Sequence, residues 1–261
     1  MVDFLELTLL GSFAGFTIFL GLPIVLMGIS DRVRGFLNAF AVGILMFLIV
    51  DVFSHAWDQT TTAAVSASKG TGSTGTAVTD LALMFGGITI GLLGLVIYER
   101  SYLGRGQEAV APTKVSTMTA LGIGAHNLSE GLAIGQSFAF GAVGLGLVLV
   151  IGFAAHNTTE GFGITAPLFG MESRPKVSFL AKVLFIGGVP TLLGTLLGAA
   201  YYSPAAYIFF LALAGGALVY VTMLMFNTGR RRYSSGLMMG GIFLGLCLGF
   251  VTDLIVSLGG A

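Results

Sequence analysis

Long apolar stretches alternate along the chain with short polar or Pro/Gly-containing breaks. Eight stretches stand out, near residues 7–29, 36–56, 81–98, 117–138, 144–168, 177–201, 205–227 and 237–258. A helix crossing the ~30 Å hydrocarbon core needs about 20 mostly apolar residues, so each stretch predicts one transmembrane helix. Transmembrane strands would be shorter and alternate in polarity; these continuous runs do not, and helices satisfy their own backbone groups. The pattern predicts an all-α polytopic membrane protein, one transmembrane domain of eight helices over residues 1–261.

Composition sharpens this picture. The chain is 55% hydrophobic and 9% charged, with 40 glycines and a mean hydropathy of +0.95, whereas a soluble domain is about 25% charged. Twelve Lys and Arg balance twelve Asp and Glu. No basic block is present, which excludes nucleic-acid binding as a main role. A single cysteine, Cys247, rules out an intrachain disulfide and a CxxC metal site. Asp3 and Glu6 stand where a signal peptide would be basic, so none is expected to be cleaved.

Eight spans put both termini on one side, and the cations choose the side. With the termini outside, Arg32, Arg34, Arg100, Arg105, Lys114, Arg174, Lys176, Lys182, Arg230, Arg231 and Arg232 all fall inside, and only Lys69 falls outside. An integral protein of a plasma or inner membrane, with extracytoplasmic termini, is the expectation. The stretch from Trp57 to Asp80, rich in Thr, Ser, Ala and Gly, reads as a flexible external loop. Residues 101–116 read as a mobile cytoplasmic linker that separates spans one to three from spans four to eight. The linker has no His, which argues against a metal-sensing loop.

Ionisable side chains within spans cost at least ~2.5 kcal/mol on insertion scales, so each calls for a function or a partner. Span four carries His126-Asn127-Leu128-Ser129-Glu130-Gly131 and span five carries His156-Asn157-Thr158-Thr159-Glu160-Gly161. This is one H-N-x-x-E-G block written twice, thirty residues apart. In a helix, positions i and i+4 share a face, so each block presents one imidazole and one carboxylate together. A short turn near residues 140–143 makes the two spans antiparallel neighbours with both blocks near mid-span. Two His and two Glu then converge. Imidazole plus carboxylate suits Zn²⁺, and also Fe²⁺, Mn²⁺ or Cd²⁺, while two ionised Glu balance a double charge. Asn127 and Asn157 can add amide oxygens or hydrogen bonds to the ligands. Such polar residues can also serve only to bond helices together, but two of the chain's three histidines in identical frames favour a metal site.

These motifs resemble those of the ZIP (Zrt/Irt-like) family of divalent-metal transporters, and the resemblance runs over essentially the whole chain. It implies eight spans with both ends outside, and uptake of zinc or a related metal into the cytoplasm. It further implies elevator-like movement of one helix bundle past another, within a homodimer. His126, Asn127, Glu130, His156, Asn157 and Glu160 inherit the ligand roles, with the metal as substrate and no resident cofactor. The chain departs from the family pattern in three places. Ser129 and Thr159 replace the proline before the motif Glu, where hydroxyl back-bonding could stand in for the kink. Thr191, in Gly187-Gly188-Val189-Pro190-Thr191, takes the place of a metal-bridging Glu, which argues against a second metal position. Leu224 and Met225 stand where acidic residues are frequent, so the cytoplasmic exit lacks carboxylates.

Span two adds Asp51 and His55, again i and i+4, near its outer end, where they could catch an incoming cation. Asp253 in span eight has no such partner at helical spacing and reads as a structural carboxylate. Met223, Met225, Met238 and Met239 read as packing or lipid-facing residues. Two rival classes remain. An intramembrane metalloenzyme finds no HExxH and too few histidines here, and a non-transporting membrane scaffold leaves the mid-span Glu pair without a purpose. The sequence is read as a transporter, not an enzyme.

Overall fold

The computed structural model describes residues 3–23, 30–102, 111–169, 171, 173, 175–201 and 203–258. Among them are eight α-helices and no strand. They are α1 (Phe4–Phe16, continued by a 3₁₀ turn at Thr17–Gly21), α2 (Asp31–Ser68), α3 (Thr74–Tyr102), α4 (Pro112–Ala139), α5 (Val143–Thr165, followed by a 3₁₀ turn at Ala166–Leu168), α6 (Val177–Ala200), α7 (Pro204–Arg232) and α8 (Ser235–Leu258). The helices fall on the expected stretches in order; residues 24–29, the end of the first stretch, lie outside the described residues.

Seven of these segments are long and apolar enough to cross a membrane, and α4 is not among them. The reason is its cargo of polar side chains. Ser116, Thr119, His126, Asn127, Ser129, Glu130 and Ser137 are all buried in protein. By contrast α3 and α8 turn large apolar side chains such as Phe85, Ile97, Phe243 and Phe250 outward, as lipid-facing helices do. The protein is thus an integral membrane protein by its apolar helices, with one polar helix enclosed by the others.

The expected external loop from Trp57 to Asp80 is a correction. Helix α2 runs on to Ser68 and α3 begins at Thr74, leaving only a tight turn. Thr60, Thr61 and Ser68 donate their hydroxyls to the carbonyls of Ala56, Trp57 and Val65 at 2.8, 2.9 and 2.8 Å, so polar composition does not force the backbone out of a helix. Gly70 ends α2 at φ +69°. There its N–H bonds Ala67 O and the N–H of Thr71 bonds Ser66 O, the paired closure that a left-handed residue permits. Gly141, at φ +75°, closes α4 in the same way and makes the short α4–α5 turn.

The expected linker over 101–116 is also shorter than its composition suggested. Residues 103–110 lie outside the described residues, but Pro112 already stands in the first turn of α4, where its missing N–H costs nothing. Nor does this segment divide the molecule. Helices α1, α4, α5 and α6 pack mainly on one another, as do α2, α3, α7 and α8, and the two groups meet chiefly where α4 crosses α7 and α2 passes α5. Close approach within the first group rests on glycine. A Cβ at Gly131 would lie 2.1 Å from Thr191 O, and one at Gly194 would lie 2.2 Å from Leu128 O. Backbones of α4 and α6 therefore touch at the depth of the repeated motif.

Candidate metal centre

Pro190 shapes the wall of the site. Lacking an N–H, it cannot bond the carbonyl of Ile186, and α4 presses into this part of α6 with Gly124, whose Cβ would stand 2.4 Å from Ile186 O. One residue on, the Gly187 carbonyl accepts a hydrogen bond from Asn127 Nδ2 at 3.0 Å. The same Nδ2 reaches Asn157 Oδ1 at 2.5 Å, and Asn157 Nδ2 donates to Ala14 O at 3.1 Å. The two motif asparagines thus lock α4, α5, α6 and α1 together, side by side and at one depth.

The charged members gather around His126. Its Nε2 lies 3.2 Å from Glu130 Oε1 on its own helix and 3.8 Å from Glu160 Oε1 on α5. His126 and Glu130 are 2% and 6% exposed, and Glu160 is fully buried. Two carboxylates this deep cost several kcal/mol each if ionised and uncompensated. A positive charge between them, an imidazolium or a metal cation, offsets that cost, as does a proton on one of the two. The His156 side chain lies outside the described residues; its backbone, one turn before Glu160, is helical. Among the described residues no three His, Cys, Asp or Glu side chains are set to hold a metal ion, and the His156 side chain is not one of those residues.

A cavity of about 160 Å³ leads to this cluster. His126, Ser129 and Glu130 form part of its wall, and Asp51, His55 and Asp253 line it farther along α2 and α8. His55 Nδ1 stands 3.4 Å from Asp51 Oδ1 and 3.0 Å from the Asp51 carbonyl. The His55 side chain is 57% exposed and that of Asp51 20%, a gradient from mouth to interior. Asp253, read from the sequence as a structural carboxylate, lines the same cavity as both. Helical spacing could not reveal this, because the partners come from another helix; the only available signal was its position near the same end of its span.

A second cavity, of about 120 Å³, opens at the opposite end beside Arg34, Asn38, Met225, Arg232 and Tyr233. Among the described residues its lining includes no Asp, Glu or His, in keeping with Met225 in place of a carboxylate. Leu45, Met118, Ile123, Leu218 and Val221 lie between the two cavities in helix order and belong to one buried cluster. Among the described residues, a buried apolar layer therefore lies between the charged site and the second cavity. Met225 and Met238 are buried while Met223 and Met239 face outward, so the methionines pack or meet lipid as expected.

Thr191, in the place of the bridging carboxylate, is fully buried, and its hydroxyl has no hydrogen-bond partner among the described residues. Ser129 does not show the expected back-bonding either, since its Oγ also lacks a partner there. Scanned against protein-family models and searched against curated proteins, the chain matches none.

Proposed function

We propose that the chain is a ZIP-like transporter that moves Zn²⁺ or a related divalent transition metal inward across the membrane. The observation that carries the reading is the pair Glu130 and Glu160, buried on facing helices around one imidazole beside a one-sided cavity. A scaffold protein has no evident use for two such carboxylates, whose desolvation works against stability unless a proton or a positive charge compensates it. An enzyme reading draws on the same His, Asp and Glu side chains, and metal flux across the membrane separates the two.

In this reading all eight helices span, with α4 shielded from lipid by its neighbours, and both termini lie outside. The Arg-rich end, where Arg232 pairs with Asp31 at 3.3 Å, then faces the cytoplasm. A cation passes His55, Asp51 and Asp253 and replaces the His126 contact between the two glutamates, with His126 and His156 as nitrogen donors. Helices α1, α4, α5 and α6 then carry it past α2, α3, α7 and α8 until the apolar layer no longer lies on its inner side. Pairing of two copies, implied by the family resemblance, belongs to the same proposal. The test is uptake of Zn²⁺, Cd²⁺, Fe²⁺ and Mn²⁺ into protein-containing vesicles, alone and in competition. Uptake above protein-free vesicles for at least one of the four supports the reading, and no uptake of any refutes it.

A further inference from the structure

The face of α4 that lines the outer cavity presents His126, Ser129, Glu130 and Ala133. Ser129 lies three residues after the imidazole, on the same helix face. It is 1% exposed, and its Oγ has no hydrogen-bond partner among the described residues. Ser116 and Thr191 share this feature, but neither is among the residues that line the cavity, and other buried hydroxyls on these helices are bonded. Thr119, Thr165 and Thr195 each donate to the carbonyl four residues earlier, at 2.9, 2.8 and 2.8 Å. A helical serine has the same option, here the carbonyl of Ala125, and Ser129 leaves it unused. A buried hydroxyl without a partner is costly, and one beside a charged cluster in a cavity points to a ligand.

We infer that Ser129 Oγ is a selectivity-determining donor to the transported cation, an oxygen ligand added to those of Glu130, Glu160 and His126. The inference rests on the metal site proposed above. A hydroxyl adds a hard oxygen and raises the ligand number without adding charge. Zn²⁺ is satisfied by four ligands and favours imidazole, whereas Mn²⁺ and Fe²⁺ accept more oxygen donors. Ser129 therefore tilts the site toward Mn²⁺ and Fe²⁺ relative to a bare His/Glu set.

The experiment measures Mn²⁺ and Zn²⁺ uptake into proteoliposomes by the unsubstituted protein, Ser129→Ala, Ser129→Thr and Glu130→Ala. The Mn²⁺-to-Zn²⁺ ratio is independent of how much protein inserts, and alanine suits a helix interior better than serine. Ser129→Ala is expected to lower the ratio by roughly tenfold, about the effect of one lost ligand contact, and Ser129→Thr, which keeps the hydroxyl, is expected to preserve it. An unchanged ratio in Ser129→Ala, with Glu130→Ala inactive for both metals, overturns the inference and leaves the site standing. Glu130→Ala active for both metals overturns the site itself, and this inference with it.

Discussion

Asn127 and Asn157, equivalent residues of the two motif copies, meet side chain to side chain, with Nδ2 of the first 2.5 Å from Oδ1 of the second. Both are fully buried. Removing either one breaks the bond between them and the bond that the lost side chain makes to the carbonyl of Gly187 or Ala14. Asn127→Ala or Asn157→Ala should each destabilise the protein by about 1–3 kcal/mol. The double variant should cost less than the sum, since the shared bond is lost once. Thermal unfolding of the purified protein in detergent checks both statements.

Helix contact at the site depends on absent side chains. Gly131→Ala would drive a methyl against the Thr191 carbonyl, a backbone atom that cannot turn aside, and should cost about 1–3 kcal/mol. Gly86 on α3 has open space around it, so Gly86→Ala should be neutral or stabilising by up to about 1 kcal/mol. Midpoints measured in the same detergent compare the two.

Much of this architecture was legible in the sequence because apolar length and a repeated motif are strong local signals. Eight helices follow the apolar stretches, and the twin H-N-x-x-E-G blocks lie side by side with His126, Glu130 and Glu160 together. What escaped depends on contacts across the molecule. The Thr- and Ser-rich run after Trp57 stays helical because its hydroxyls bond the turn before, which composition alone does not distinguish from a loop. The grouping of α1 with α4, α5 and α6, the place of Asp253 in the cavity and the unpartnered Ser129 hydroxyl all arise from packing between distant segments.

A single dominant metal position is expected, since Thr191 offers no carboxylate to bridge two ions. Anomalous scattering from Cd²⁺-soaked crystals should show one strong peak between α4 and α5; two well-occupied peaks a few ångströms apart, beside α6, would refute this. Thr191→Glu should gain the second peak. It should also lower thermal stability, because residue 191 is fully buried and a Cβ on Gly15 of α1 would lie only 3.2 Å from its Cβ.

Metal binds neutral imidazole and ionised carboxylate, so protons compete with it at the histidines and at both glutamates. Uptake should fall as the external medium is acidified below the reference His pKa of ~6.5. More external metal should weaken that fall by mass action. Proteoliposomes held at fixed internal pH, assayed at low and saturating Zn²⁺, provide the measurement. Acid inhibition indifferent to metal concentration would place the effect elsewhere, in a gate or a driving force.

The central claim is that Glu130 and Glu160 together neutralise a transported divalent metal. Its most direct test is initial-rate Zn²⁺ uptake by proteoliposomes containing the unsubstituted protein, Glu130→Ala or Glu160→Ala, each first shown to be monodisperse and inserted. The account predicts that either substitution abolishes or severely reduces uptake while leaving insertion intact. Normal uptake by a folded Glu130→Ala protein would contradict it.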